Sequence, residues 1–291
     1  MTSSLNELSC DKSQLNFLNK NDDLLNIYAS DQYFTSGKNI RGKLCNIIGK
    51  HLNIEKEEHI SSISNITDYL HNASLIHDDI IDNDEVRRGQ LSIWRKYGVG
   101  KAILIGDYLI SKSYDEVNSM HLDDSLKMIL TNEITKTLNE SVKGAHLELQ
   151  HSDPSLITTF NKYVEITTLK TGSLFSLPFR CLYNLTDNFN SSKSNDITNA
   201  FYNLAVAYQI KDDWVDYKSS QDRFENNSDF INNRPNIFNV LRSRNNNQIV
   251  NIINESQKNI IKESWGKIKK FNEDLFFDLN DILDRFINFD L

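Results

Sequence analysis

Three prolines and ten glycines are all that punctuate 291 residues, and this scarcity constrains the fold more than any other feature. A many-stranded β fold needs a turn signal roughly every ten residues. A chain this poor in breakers is expected to build long helices instead. The apolar spacing agrees. Ile60, Ile63, Ile66, Leu70 and Ser74 recur three or four apart, predicting a helix that runs towards Asp82. Residues 101–117 read as a second, buried helix. Ser152, Asp153 and Pro154 combine a capping side chain with proline near a first helical position. They predict a helix start there, leading through Phe160, Tyr163, Val164, Ile166 and Thr167 to Lys170. Residues 186–196, rich in Asn, Ser and Asp, read as a surface loop before a helix over about 197–217. Amphipathic stretches at 252–268 and 275–287 close the chain. No internal repeat, GxGxxG, GxxxxGK[ST] loop or strand–helix alternation occurs. One all-α domain over residues 21–291 is expected, after a polar segment at 1–20.

Charge and cysteine usage exclude several function classes. A net charge of −8 argues against a nucleic-acid surface. Cys10, Cys45 and Cys181 are odd in number and form no CxxC pair, which fits a reducing compartment and neither a disulfide framework nor a zinc site. The first 23 residues contain acids and no apolar run, unlike a signal or transit peptide. No window approaches 18 apolar residues, so no membrane span is expected. The expected location is cytoplasmic.

Two acidic clusters stand out. Asp78-Asp79-Ile80-Ile81-Asp82 and Asp212-Asp213-Trp214-Val215-Asp216 both read Asp-Asp-x-x-Asp. With 26 Asp in the chain, chance gives roughly 0.2 such windows. On a helix Asp78 stacks with Asp82 and Asp212 with Asp216, and like charges at that spacing need a cation or full solvation. A solvated acidic face is the commonest fate of a charge run. Both clusters, however, end apolar runs, ASLIHDDII and AVAYQIKDDWV, where carboxylates are costly unless paired or metal-bound. Magnesium suits such oxygen ligands and shares them with substrate phosphates. Six aspartates are therefore expected to converge on a diphosphate.

Cations that could grip the same group lie nearby. Arg87-Arg88-Gly89 follows the first cluster, Lys38 and Arg41 are three apart in SGKNIRGKL, and Lys170-Thr171-Gly172 ends a helical run. Each alone fits a surface ion pair better; the arginine pair is the stronger hint, because guanidinium grips phosphate as a fork.

Taken together, these segments resemble the trans-isoprenyl diphosphate synthases. The stretch from His71 to Asp107 is similar to their first aspartate-rich region and YQIKDDWVD to their second. SGKNIRGKL resembles their Gly-Gly-Lys-x-x-Arg-Pro segment and KTGSLF their Lys-Thr-Ala/Gly-x-Leu-Phe segment. Order and spacing match over residues 37–216. The resemblance implies a helical bundle around a central cavity and a homodimer. It implies a magnesium-dependent enzyme, with manganese as an alternative, that condenses an allylic diphosphate with isopentenyl diphosphate. Asp78, Asp82 and Asp212 would hold the metal, with Asp216 contributing directly or through water. Arg87, Lys170, Thr171 and Gln209 would meet the allylic diphosphate or its developing cation. Lys38, Arg41, His71 and Arg88 would bind isopentenyl diphosphate. Small Ala73 and Ser74, one turn before Asp78, imply a product longer than fifteen carbons, of the geranylgeranyl class or longer.

The pattern departs from the family after the second cluster. Phe224, beside Arg223, and Arg234 stand where lysines are expected, and Asn236 and Phe238 replace threonine and proline, while Asp229 is kept. Ser36 and Gly42 replace a glycine and a proline upstream. An altered active-site lid is therefore expected. A terpene cyclase or a non-catalytic subunit on the same scaffold would be favoured by loss of the isopentenyl-site residues or of an aspartate cluster, respectively. Both sets are present.

Overall fold

Helices carry nearly all of the chain that the computed structural model describes, namely residues 27, 31–35, 40–152, 159–222, 235, 237 and 246–287. Helix α1 (Gln32–Thr35) and α2 (Ile40–His51) lead into the long α3 (Glu57–Asp82). A hairpin follows, β1 (Val86–Arg87) antiparallel to β2 (Gln90–Leu91), with Val86 opposite Leu91. Then come α4 (Ile93–Tyr97), α5 (Val99–Ser119), α6 (Asp124–Gln150) and α7 (Phe160–Thr167). A π-helical turn (Thr168–Gly172) joins α7 to α8 (Ser173–Asn184), and α9 (Ser191–Asp222), α10 (Asn246–Phe271) and α11 (Glu273–Ile287) complete the order.

The periodic segments form where the apolar spacing predicts. Ile60, Ile63, Ile66, Leu70, Ala73 and Ile76 make one buried stripe along α3, and Glu57 and Glu58 in its first turn favour the helix dipole. Asn83, in the left-handed region at φ 56°, ends α3 just after Asp82.

Two local readings need correction, and a third falls partly outside the described residues. Ser152 itself follows the end of α6, its hydroxyl donating to the Glu148 carbonyl at 2.9 Å. The next described helix starts at Phe160, where Thr159 Oγ1 accepts the Lys162 N–H at 3.2 Å; residues 153 and 154 lie outside the described residues. The polar run at 186–196 is half helix. Asn190 Oδ1 accepts the Lys193 N–H at 2.9 Å and starts α9 at Ser191, because residues common in loops are also the best helix caps. Lys170-Thr171-Gly172 ends nothing; the helix widens by one π turn there and runs on into α8. Helix α6 has no counterpart in the sequence reading.

One apolar cluster draws on residues from Leu44 to Ile287, so helices from both ends of the chain share it. A smaller one packs α3 on α5 through Ala73, Ile76, Ala102, Ile105 and Leu109, with Tyr33 and Ile93 at its edge. No helix among the described residues is long and apolar enough to cross a membrane.

Candidate active site

The last turn of α3 splits its aspartates between two environments. Successive helical residues lie about 100° apart, so Asp79 points well away from Asp78. Asp79 is fully buried. Its Oδ2 accepts the Tyr33 hydroxyl at 2.8 Å and its Oδ1 accepts Arg87 Nε. Burial pushes this carboxyl above its ordinary value, against the pull of Arg87 and Tyr33. Burial acts against the Arg87 guanidinium as well, yet the Asp79 charge holds it above its usual value.

The second cluster repeats the arrangement. Asp213 is buried on α9. Its Oδ2 accepts the Tyr163 hydroxyl at 2.8 Å and the Ile237 backbone N–H at 2.9 Å, and its Oδ1 accepts Gln209 Nε2 at 2.9 Å. Convergence of all six aspartates on one ligand is thereby corrected: the middle member of each cluster is turned into the protein, where tyrosine bonds it.

The outer carboxylates differ. Asp78 and Asp82 are half-buried and Asp212 is exposed; the side chain of Asp216 lies outside the described residues. Asp78 Oδ2 stands 3.4 Å from Lys170 Nζ, which also meets Glu148 Oε2 at 2.5 Å. Burial pulls the Lys170 ammonium down, but Asp78 and Glu148 outweigh it and hold the group above its ordinary value. Lys170 lies in the π turn, a geometry that re-aims side chains and recurs at functional sites. Helix α6 comes close there: a Cβ at Gly144 would lie 2.5 Å from the Lys170 backbone nitrogen. The neighbouring Thr171 donates to Gln209 Oε1 at 3.4 Å. A continuous set of contacts thus links Asp78 on α3, through Lys170 and Thr171, to Gln209 and Asp213 on α9.

Beside the first cluster the fold gathers Arg41, Arg87 and Arg88 around His71. Among the described residues, His71 Nε2 and Arg41 Nε are buried without a hydrogen-bond partner. Burial, then the charges of Arg41, Arg88 and Arg87, hold the His71 imidazole well below its ordinary value. Burial brings the Arg41 guanidinium down to about 10, opposed by Asp68 and Tyr208 and reinforced by Arg88. Arg88 (φ 53°) and Gly89 (φ 76°) form the hairpin tip, two positive φ values in the manner of a type I′ turn. Buried, unpaired donors among like charges suit an anion.

Of the residues singled out in the sequence, Arg41, His71, Arg87 and Arg88 come together, and Lys170, Thr171 and Gln209 form the link to α9. Lys38 lies outside the described residues, as do Ser36, Arg223, Phe224, Asp229, Arg234, Asn236 and Phe238. Sequence reading missed Tyr33, Tyr163 and Glu148, whose partners are remote in the chain. The i+1 placement of Asp79 and Asp213 was a usable signal that they point elsewhere.

The oxygen donors fit a hard divalent ion. Among the described residues no three His, Cys, Asp or Glu side chains are close enough to hold one alone. Magnesium needs only one or two carboxylates when phosphate oxygens complete its shell. A cleft of about 410 Å³, lined by Lys56, His59, His121 and Asp123 among others, lies at the other end of α3, about 28 Å from Asp78 along the helix. It shares none of these groups.

Comparison with known proteins places the chain in a family. The family model described as polyprenyl synthetase matches residues 23–271. A decaprenyl-diphosphate synthase of Dictyostelium discoideum is 32% identical over 66% of this chain and 40% of its own. A geranylgeranyl pyrophosphate synthase of Penicillium crustosum is 31% identical over 63% of this chain and 50% of its own. The chain therefore spans about half the length of these relatives. Among solved structures, a geranyltransferase of Helicobacter pylori complexed with magnesium and isoprenyl diphosphate superposes with a TM-score of 0.74. It is 18% identical over 98% of this chain and 99% of its own. A geranyltransferase of Legionella pneumophila gives 0.70 at 21% identity, over 94% and 92%.

Proposed function

Because the chain belongs to the polyprenyl synthetase family, we propose that it is a magnesium-dependent trans-prenyltransferase that extends an allylic diphosphate with isopentenyl diphosphate. The observation that carries this reading is the juxtaposition of two unlike sites. Buried Arg41 Nε and His71 Nε2, without a hydrogen-bond partner among the described residues, lie beside a carboxylate cluster whose Asp78 pairs with Lys170. One suits a diphosphate held by the protein, the other a diphosphate held through metal.

Asp78, Asp82 and Asp212, with Asp216 directly or through water, would hold magnesium, or manganese in its place; the ion neutralises charge on a leaving diphosphate. The remaining work falls to the chain's own groups. Lys170 and Arg87 bind allylic phosphate oxygens, Arg87 being oriented by Asp79 and Asp84. Thr171 and Gln209 present oxygens towards the carbon that becomes electron-poor as the C–O bond breaks. Lys38, Arg41, His71 and Arg88 hold isopentenyl diphosphate, whose double bond attacks that carbon. A proton is then lost to the departed diphosphate, and no protein nucleophile is needed. Apolar walls keep water from the cation.

The product is read as C20 or longer. Support comes from small Ala73 and Ser74 before Asp78 and from relatives that are named geranylgeranyl and decaprenyl synthases. A homodimer is part of the proposal, and exposed Ile103, Leu104, Met128 and Val142 on α5 and α6 offer apolar surface for it. Cytoplasmic location is likewise proposed, to be tested by fractionation.

The deciding experiment incubates purified protein with magnesium, isopentenyl diphosphate and each short allylic diphosphate, and reads products by mass. Species growing by five carbons are expected. Consumption of the allylic substrate alone, or no turnover, would overturn the assignment.

A further inference from the structure

We propose that Asp213 is a positioning residue: its carboxylate fixes the Gln209 side-chain amide with the carbonyl oxygen turned towards Thr171 and the reacting carbon. The inference rests on the function proposed above and concerns an aspartate that sequence pattern alone would count as a metal ligand.

The two oxygens of Asp213 are engaged differently. Oδ2 takes the Tyr163 hydroxyl at 2.8 Å and the Ile237 N–H at 2.9 Å. Oδ1 faces Gln209 Nε2 at 2.9 Å. A carboxylate bonded in this way can only accept, so the amide NH2 must face it. The Gln209 oxygen is then forced to the opposite side, where the Thr171 hydroxyl stands 3.4 Å away. A glutamine free to flip would offer N–H and C=O alternately. An electron-poor carbon is stabilised by the oxygen end of that dipole and destabilised by the other, and a dipole set in advance costs no reorganisation during reaction. Asp213 is buried and anchored by residues 50 and 24 positions away, so it can hold this orientation.

The geometry permits a polarity swap as a test. In Asp213→Asn the new amide oxygen can keep Tyr163 and Ile237, while its NH2 replaces Oδ1. Two NH2 groups then oppose each other, and Gln209 turns its oxygen away from the reacting carbon. In Asp213→Asn/Gln209→Glu the asparagine NH2 donates to one carboxylate oxygen and the other again faces Thr171. Three readouts are needed: steady-state kinetics, melting temperature, and calorimetric binding of the allylic diphosphate with magnesium.

Asp213→Asn should lower kcat by about 100-fold, the scale of one preorganised contact, with KM and magnesium-dependent binding within about threefold of wild type. The double variant should be faster and melt higher than either Asp213→Asn or Gln209→Glu. A double variant no better than the singles would overturn the proposal. So would loss of magnesium-dependent binding in Asp213→Asn, which marks a metal ligand. If the wild-type protein forms no prenyl product, the reading of function fails separately, and the melting temperatures still decide the orientation.

Discussion

Lys170 reaches from the π turn to within 3.4 Å of Asp78 on α3. This contact balances the charge of a half-buried carboxylate. On the proposed function it would be exchanged for contacts to a metal-bound diphosphate. Asp78→Ala and Asp212→Ala should each lower turnover by at least ~100-fold, and Lys170→Ala should also weaken binding of inorganic pyrophosphate in the presence of magnesium. Turnover assays and calorimetry check this. Near-normal rates in either aspartate variant would remove the metal-clamp assignment.

His71 gives stability a pH dependence of definite sign. Its imidazole is held well below the ordinary value by burial and the surrounding arginines. The unfolded chain takes up a proton as pH falls through about 6.5, while the folded chain resists it. Stability is therefore fully present above about 6.5 and is lost as pH drops towards the folded value. His59, lowered by burial and by Lys56, acts in the same direction. Melting temperatures from pH 8 to 5 should fall in the wild type and fall less steeply in His71→Gln. Identical slopes would mean that His71 is protonated when folded.

Gly144 permits the approach of α6 to the π turn. A Cβ there would lie 2.5 Å from the Lys170 nitrogen and 3.0 Å from the Leu169 carbonyl carbon, and both are backbone atoms that cannot rotate aside. Gly144→Ala should cost about 1–3 kcal/mol, read by urea denaturation, and slow turnover at least ~10-fold by displacing Lys170 and Thr171. Gly266→Ala, with nothing within 4 Å, serves as the control and should be neutral or stabilising by up to ~1 kcal/mol. Equal effects at both sites would argue against a role for the close approach.

Product length should respond to bulk one turn before Asp78. Ala73 is buried among α5 side chains, whereas Ser74 is half-buried and its hydroxyl bonds the His71 carbonyl at 2.8 Å. Ala73→Phe should shorten the main product by one or more five-carbon units, at a packing cost of about 1–3 kcal/mol. Ser74→Phe should shorten it with less loss of stability. Mass analysis of products decides; an unchanged distribution in both folded variants would show that the chain grows elsewhere.

Much of this architecture was legible in the order of residues, because helix formation is local. The spacing from Ile60 to Leu70 dictates which face of α3 is buried, and the i, i+4 placement puts Asp78 and Asp82 on one side of it. The one-residue step from Asp78 turns Asp79 about 100° from it. What spacing cannot say is which partners wait there: Tyr33 and Tyr163 lie 46 and 50 residues from the aspartates they bond. Only the packing of α1, α3, α7 and α9 brings them within reach. The π turn is likewise a tertiary outcome, since nothing in Thr168–Gly172 forbids an ordinary helix, and the close approach of Gly144 accompanies the wider turn. The charge state of His71 belongs to the fold as well. Its ordinary imidazole becomes a reluctant base because α2 and the hairpin bring Arg41, Arg87 and Arg88 around it and exclude water, the two forces that act on a buried charge.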